Sequence, residues 1–556
     1  MDESTVYPRS GFNSVTRTFQ SLRPPIFDLP PENDPVSAAA YAFLLLRNSP
    51  WNWPDSLALV DSATGHRVSY SEFTRRTKTL AANLQSLIGL SKGGTAFVVS
   101  PSSVRVPILY FALLTLGVVI SPANPVSTES EIARQIELCK PVVAFATSAT
   151  AHKLRDNHRD RSIRIILIDS PEFDSLTTTT SSTRELDSAV EVSQSDLAAI
   201  LYSSGTTGKF KGVMLTHRNL IATIAGFSAQ ARRVGKNAPG VVLYTVPYFH
   251  IYGFFHCVRS VGVCDTVVVM GRFELRRMLR AIEEFAVITV VLVPTILLAL
   301  VKSGRDLTAT YNLGSWQTVA SGGSALSKDV IAAFKARFPN IVLLQGYGLT
   351  EATGVASRTM DPEESVRGWG SSGKISESFE AKIVDPKTGD ALAPGQQGEL
   401  WIRGPAIMKG YIGDEEATSA AIVRDGWLRT GDLCYINEEG FLYVVDRLKE
   451  LIKYKGYQVA PAELEQLLQS HPDIADAAII PYPDDEAGQV PMAIVVRQAK
   501  STLGESDIID FVAKQVAPYK KIRRVAFVDS IPKNATGKIL RKELRKIFNP
   551  ESLSRL

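Results

Sequence analysis

One stretch of eleven residues constrains this chain more than any other feature: Tyr202-Ser-Ser-Gly-Thr-Thr-Gly-Lys-Phe-Lys-Gly212, which follows directly on the apolar run Leu197–Leu201. An apolar run that ends in Gly, Ser and Thr reads as a buried strand opening into a loop. Glycines let backbone N–H groups approach phosphate oxygens, while Ser, Thr and Lys add hydroxyl donors and positive charge, so the loop is built to hold a polyphosphate. It is not a standard Walker A loop. Gly205 and Gly208 are too close together, and Phe210 rather than Ser or Thr follows Lys209. A flexible turn explains such residues singly, but rarely this many in a row.

A loop of this kind needs a strand scaffold, and the apolar runs Ala96–Val99, Val142–Ala146, Ile163–Ile168 and Val241–Val246 alternate with helix-like stretches as in parallel α/β units. The apolar stretch Ala286–Val301, interrupted by Thr289, Pro294 and Thr295, predicts a buried strand running into a helix. Leu176–Ser182, rich in Thr and Ser, is expected to be a mobile surface loop. At 556 residues the chain has room for two or more cores. Its character changes near Arg447, after which a Lys- and Glu-rich tail predicts a separate α+β domain. That tail carries strands at Ala477–Ile480 and Met492–Val496 and helices at Ala462–Gln469 and Glu505–Gln515.

Composition removes other classes. Apolar residues make up 45% and charged residues 21%, ordinary globular values. A net charge of +4 from 61 basic and 57 acidic residues does not predict nucleic-acid binding. The four cysteines, Cys139, Cys257, Cys264 and Cys434, have no CxxC spacing, so neither a disulfide framework nor a structural zinc site is expected, and a reducing compartment fits. The start lacks the pattern of a signal peptide, and no apolar run is long enough for a membrane span. The final Ser554-Arg555-Leu556 differs from the peroxisomal Ser-Lys-Leu address only by a charge-preserving change, which predicts recognition by the peroxisomal import receptor; otherwise the chain is expected in the cytoplasm.

Three further motifs follow in order: Gln345-Gly-Tyr-Gly-Leu-Thr-Glu351 after the apolar run Ile341–Leu344; Trp427-Leu-Arg-Thr-Gly-Asp-Leu433 with Asp446-Arg-Leu-Lys-Glu-Leu-Ile-Lys-Tyr-Lys-Gly456; and Pro532-Lys-Asn-Ala-Thr-Gly-Lys538. Taken alone, the charged run from Asp446 reads as a solvated helix face and Lys538 as a surface lysine beside glycine. With the loop at 202–212, the set resembles the adenylate-forming superfamily of acyl-CoA synthetases, adenylation domains and luciferases. The likeness runs from about residue 50 to about 547. It is closest to plant 4-coumarate:CoA ligases and their peroxisomal ligase-like relatives, notably in Val459-Ala-Pro-Ala-Glu-Leu-Glu465 and Ala517-Pro-Tyr-Lys-Lys521. Phe210 stands where that family usually has proline.

The resemblance implies a large N-terminal domain, residues 1–446, of α/β sheets with a β-barrel-like subdomain, and a small mobile α+β domain, 447–556, hinged near Lys449. It implies that Ser203, Ser204, Gly205, Thr206, Thr207, Gly208 and Lys211 hold the ATP phosphates, together with Gln345, Gly346, Tyr347 (stacked on adenine) and Thr350. Asp432 would take the ribose hydroxyls, with Arg447 nearby on the nucleotide. Glu351 and Thr350 would hold Mg2+, a hard cation that prefers oxygen ligands. Lys538 would be the catalytic lysine on the α-phosphate and carboxylate. His250, in Pro247-Tyr-Phe-His-Ile-Tyr252, would sit beside the acyl carbonyl; by itself it also reads as a satisfied core histidine. Rotation about Lys449 would exchange Lys538 for Lys453, Lys455, Gly456 and Gln458, the coenzyme A side. Lys520–Arg524 with Lys542, Arg545 and Lys546 read either as attraction for coenzyme A phosphates or as solvated charge.

The acyl pocket implied by the resemblance is Ile251, Tyr252, His256, Ala320, Gly323, Gly348, Gly354 and Val355. Hydroxycinnamate ligases typically have Gly-Pro where this chain has Thr353-Gly354, and Gly323 stands where alanine is usual; smaller residues widen a pocket and weaken apolar discrimination. The expected reaction joins a carboxylic acid to coenzyme A through an acyl adenylate, with ATP and coenzyme A as co-substrates and Mg2+ as cofactor. The expected acid is of the 4-coumarate or cinnamate type, or a fatty or oxylipin acid of the jasmonate-precursor kind, handled by a monomer. A luciferase-like or freestanding adenylation protein making no thioester, and a noncatalytic acid-binding protein, are the alternatives.

Overall fold

The structure is a computed structural model that describes residues 6–24, 29–51, 55–154, 163–179, 190–204, 210–233, 239–324, 326–377, 379–455, 457–484, 486–534 and 537–548. Its backbone is organised as four sheets. The expected runs become strands Thr95–Val99, Val143–Ala146, Arg164–Leu167 and Val241–Tyr244. The stretch at 286–301 becomes the strand Thr289–Leu292 followed by the helix Pro294–Lys302, whose proline occupies the first turn, where a missing N–H costs nothing.

The first sheet has seven strands in the order Gly410–Tyr411, Phe210–Thr216, Leu197–Ser204, Val119–Ala123, Thr95–Val99, Val143–Ala146, Arg164–Leu167. From Leu197–Ser204 onward its strands pair in parallel, and Phe210–Thr216 pairs antiparallel with Leu197–Ser204. A second sheet of nine strands has a parallel centre in which Val342–Tyr347 lies beside Thr318–Ser321 and then Thr289–Leu292. Buried runs such as Val290, Val291 and Leu292 fit strands covered on both faces. A third, seven-stranded sheet is antiparallel throughout and stands in the place of the barrel-like subdomain; it carries Trp427–Ile436 paired with Leu442–Arg447.

The fourth sheet draws all five strands from residues 452–527. Side chains of its central pair alternate between two faces: Ala477, Ile479, Ala493 and Val495 pack on one side with Leu464, Leu468 and Ile508, and Ala478, Ile480, Met492 and Ile494 on the other with Leu544. Both layers are separate from the large core of the other sheets. The expected short strands here are longer, Ile474–Asp484 and Gly488–Arg497, because the hairpin pairs over its whole length.

One expectation is corrected. Residues 176–178 are not loop but the end of a helix, Pro171–Thr178. Ser170 caps it, Pro171 starts it, and Phe173, Leu176 and Thr177 are buried, so tertiary packing outweighs the weak helix preference of the threonines. Asn83 then holds its end by donating to the carbonyls of Leu176 and Thr179, each at 2.8 Å. Residues 180–182 lie outside the described residues. Among the described residues no helix is long and apolar enough to cross a membrane.

Candidate functional site

Strand pairing in the third sheet places Asp432 directly opposite Arg447. Asp432 is 5% exposed, and its carboxylate accepts from Tyr347 Oη at 2.6 Å and pairs with Arg447 Nε at 3.3 Å. Burial pushes the Tyr347 hydroxyl well above its ordinary range and the Asp432 charge adds to the shift, so the tyrosine stays a neutral donor. Thus residues from Gln345–Glu351 and from Trp427–Leu433, far apart in sequence, meet at one buried carboxylate.

Two lysines join this group. Lys538 is pushed down to about 7 by burial and by Arg447, against the opposing pull of Glu450 and Asp432. Lys449 is lowered to about 8 by burial first and then by Arg447. His250 lies near Lys538 and is lowered to about 4, again by burial first. His250 also caps the helix Ile251–Gly262: its Nδ1 accepts from the Tyr252 N–H at 3.2 Å, which leaves the proton of the neutral ring on Nε2. Lys538 is positioned by a tight loop in which its N–H donates to Asn534 Oδ1 at 2.9 Å. Gly537 in that loop has φ +78 and sits so close to Thr295 that a Cβ would lie 2.7 Å from its Oγ1, so glycine is required both for conformation and for approach.

A second polar group forms around Glu351. Its Oε1 accepts from Ser203 Oγ and from Tyr411 Oη, both at 3.1 Å, and Lys211 Nζ lies 4.5 Å from the centre of the Tyr411 ring. Oε2 has no hydrogen-bond donor among the described residues. Thr350 is buried beside it in the turn Thr350–Ala352, and Gln345 and Gly346 lie on the strand leading there. Tyr411, in Lys409-Gly-Tyr-Ile-Gly413, went unnoticed in the sequence because a short glycine-flanked run reads as an ordinary turn.

A third group, around Tyr252 on the helix that His250 caps, is mostly aromatic. Tyr252 donates to the Ala320 carbonyl at 3.3 Å, and the His256 ring lies 4.2 Å from Phe255 and 5.2 Å from Tyr252, centre to centre. His256 Nδ1 accepts from Arg259 Nε at 2.9 Å, so its proton is on Nε2, which donates to none of the described residues. Burial, reinforced by Arg259, keeps that imidazole neutral. Gly348 and Gly354 are in backbone contact: a Cβ on Gly348 would lie 1.5 Å from the Gly354 carbonyl oxygen. Gly354 has φ +103, which proline cannot adopt, and Thr353 before it has φ +52 and donates Oγ1 to the Ala406 carbonyl at 2.6 Å. The Thr353-Gly354 pair therefore follows a backbone path closed to Gly-Pro. Tyr252, Ala320, Gly348, Gly354 and Val355 are half-buried, Gly323 is exposed, and Ile251 is buried in the core.

Lys453, Lys455 and Gln458 are not part of this cluster. Lys453 and Gln458 face each other across an exposed hairpin of the fourth sheet, and Lys455 is 3.9 Å from Glu486. Gly205, Thr206, Thr207, Gly208, the Ser204 side chain, Gly456 and the terminal Ser554-Arg555-Leu556 lie outside the described residues.

Residues 46–412 match the AMP-binding enzyme family and 463–538 its C-terminal domain. The 4-coumarate–CoA ligase-like 9 of Arabidopsis thaliana is 49% identical over 100% of this chain and 99% of its own length. The peroxisomal OPC-8:0-CoA ligase 1 of the same plant is 45% identical over 99% of this chain and all (100%) of its own. Among solved structures, ATP-bound MatB from Rhodopseudomonas palustris superimposes with TM-score 0.83 at 26% identity, covering 93% of this chain and 100% of that one. The o-succinylbenzoate CoA synthetase MenE of Bacillus subtilis, bound to its acyl-adenylate, does so with TM-score 0.76 at 27% identity over 91% of this chain and 97% of that one. With its fold, its four motifs and full-length relatives in agreement, this chain belongs to the AMP-binding enzyme family, as an adenylate-forming acid–CoA ligase.

Proposed function

We propose that the cleft activates a carboxylic acid by attack of its carboxylate on the α-phosphorus of ATP, and that the same enzyme then passes the acyl group to coenzyme A. The observation that carries this reading is the convergence of Lys538, Arg447 and Lys449 around Asp432, with His250 adjacent. Carboxylate and triphosphate repel, so catalysis is chiefly positioning and charge neutralisation. Lys538 supplies a charge that burial and Arg447 disfavour and that Glu450 and Asp432 partly restore. Asp432 accepts ribose hydroxyls, Arg447 steadies that carboxylate, Tyr347 stacks on adenine, and Ser203 and Lys211 with the loop between them take the phosphates. Neutral His250 offers its Nε2–H beside the acyl carbonyl.

Mg2+ fits Glu351 and Thr350. Glu351 keeps one carboxylate oxygen unclaimed among the described residues, and no group of three or more His, Cys, Asp or Glu there forms a protein cage. A cation held by one carboxylate and by substrate phosphates suits magnesium, which would neutralise phosphate charge.

For the second half-reaction the small domain, with its boundary near residue 447, turns about Lys449 and brings Lys453, Lys455, Gly456 and Gln458 to the cleft in place of Lys538. The acid has an apolar body, because the expected wall, Ile251, Tyr252, Ala320, Gly323, Gly348, Gly354 and Val355, carries no charged group. Among such acids, an oxylipin of the jasmonate-precursor kind is favoured over a plain fatty acid, since the unclaimed His256 Nε2–H gains an acceptor from an oxygen on the acyl body. The terminal Ser554-Arg555-Leu556 and the peroxisomal relative support import into that organelle.

The test is AMP and pyrophosphate release by the purified protein over cinnamate, fatty and oxylipin acids, with and without coenzyme A. Coenzyme A-dependent turnover of one class supports the reading. Adenylate formation without any thioester would replace it with a freestanding adenylation enzyme.

A further inference from the structure

The helix Pro294–Lys302 touches the small domain at both ends. Its nine residues span about 13 Å. In its first turn, Thr295 packs on Gly537, the residue before Lys538. At its last residue, Lys302 donates from Nζ to the carbonyls of Ile474 at 2.8 Å and Ala475 at 3.0 Å, where the strand Ile474–Asp484 begins.

The foot of the helix is linked to the catalytic loop a second time. The next residue of that strand, Asp476, pairs with Lys533 at 2.6 Å, and Lys533 bridges by backbone to Ile539, so the two flank the turn that presents Lys538. Ile474 is fully buried in the small domain's core, so a pull on its carbonyl acts on the whole sheet rather than on a loose end. Lys302 is exposed; partial burial lowers its affinity for a proton while Asp476 restores part of it, and the ammonium makes charge-assisted bonds to two carbonyls.

We propose that Lys302 is a positioning residue for adenylation: it latches the small domain in the orientation that inserts Lys538, and it must let go before the thioester half-reaction. The inference rests on the two-step reading above. A latch of this kind biases one orientation without touching either substrate, so it affects the two half-reactions differently.

The experiment measures both half-reactions in the full chain: single-turnover acyl-AMP formation without coenzyme A, and thioester formation from supplied acyl-AMP. Lys302→Ala is expected to slow acyl-AMP formation about tenfold, as loss of a charged hydrogen-bond anchor does, with the KM for ATP and acid moved less than about twofold. Thioester formation from supplied acyl-AMP stays the same or rises. Lys302→Arg, which keeps the charge and the donors, restores most of the rate. Asp476→Ala is expected to repeat the pattern by loosening the next link, and it decides the matter if Lys302→Ala does not fold. Unchanged acyl-AMP formation, or an equal fall in both half-reactions, overturns the latch. If instead Lys538→Ala keeps wild-type acyl-AMP formation in the same assays, it is the two-step reading that fails.

Discussion

The two sides of the proposed site are built by opposite means. On the side proposed for the nucleotide, Tyr347, Asp432 and Arg447, and separately Ser203, Glu351 and Tyr411, are joined by hydrogen bonds between charged or polar groups. On the side proposed for the acid, Tyr252, Phe255 and His256 meet by ring contact, and Gly348 and Gly354 by backbone contact. Charge placement tolerates little variation in residue type, whereas a pocket wall is a shape that many combinations of glycine and aromatic residues can make. A change on the first side should therefore alter rate or ATP affinity, and a change on the second should alter stability or the choice of acid.

The largest break is expected from Lys538→Ala, which should slow acyl-AMP formation by about 100-fold or more while leaving thermal unfolding unchanged. Gly348→Ala should act in the opposite way. Its new methyl group meets the Gly354 carbonyl, the two segments must separate, and stability should fall by about 1–3 kcal/mol in denaturant titration. Asp432→Asn keeps the shape but removes the charge facing Arg447, so the KM for ATP should rise on the order of tenfold with the preferred acid unchanged. A change in acid preference instead would mean the two sides are not separable.

The smallest effect concerns pH. Lys538, lowered to about 7, is charged below that pH and neutral above it, so kcat/KM for ATP should fall as pH rises through about 7. Lys538→Arg, which stays protonated, should remove that limb from whatever activity remains. His250, lowered to about 4, stays neutral across this range and should add no limb of its own.

The sequence marks the proposed nucleotide side by particular residue types in short runs, Gly, Ser, Thr and Lys around Gly205 and Thr-Glu at Thr350-Glu351, and of these the structure brings Ser203 to Glu351. The strand at Val241–Tyr244 and the strand-to-helix passage at 289–302 were legible as apolar runs with proline punctuation. Tyr411 was not, because its role comes from lying over Lys211 and donating to Glu351, which is a tertiary fact. Lys302 reaches a carbonyl 172 residues away, and no local pattern reports such a pairing. Thr353-Gly354 was noticed as a departure in residue type, yet its positive φ angles are a property of the path around Ala406 and Phe255. The helix end at Leu176–Thr178 was hidden by threonines whose weak propensity is overruled by burial and by Asn83.

The backbone around Lys449 is tied down almost to the residue itself. Leu448 donates its N–H to the Gly431 carbonyl at 2.9 Å, which fixes it to the large body, while Glu450 is held by Arg541 of the small domain at 2.7 Å, and Arg541 in turn grips Glu465 at 2.6 Å. The joint proposed at Lys449 is thus an axle one residue long. Between its two bearings runs a turn bond, Glu450 N–H to the Arg447 carbonyl at 2.9 Å, and the proposed swing has to sever it along with the Lys302 contacts. A domain mounted in this way turns as a crank rather than trailing as a tether. Two torsion angles set where it stops, and lengthening the chain by one residue at this point would cost the enzyme its aim without unfolding either half.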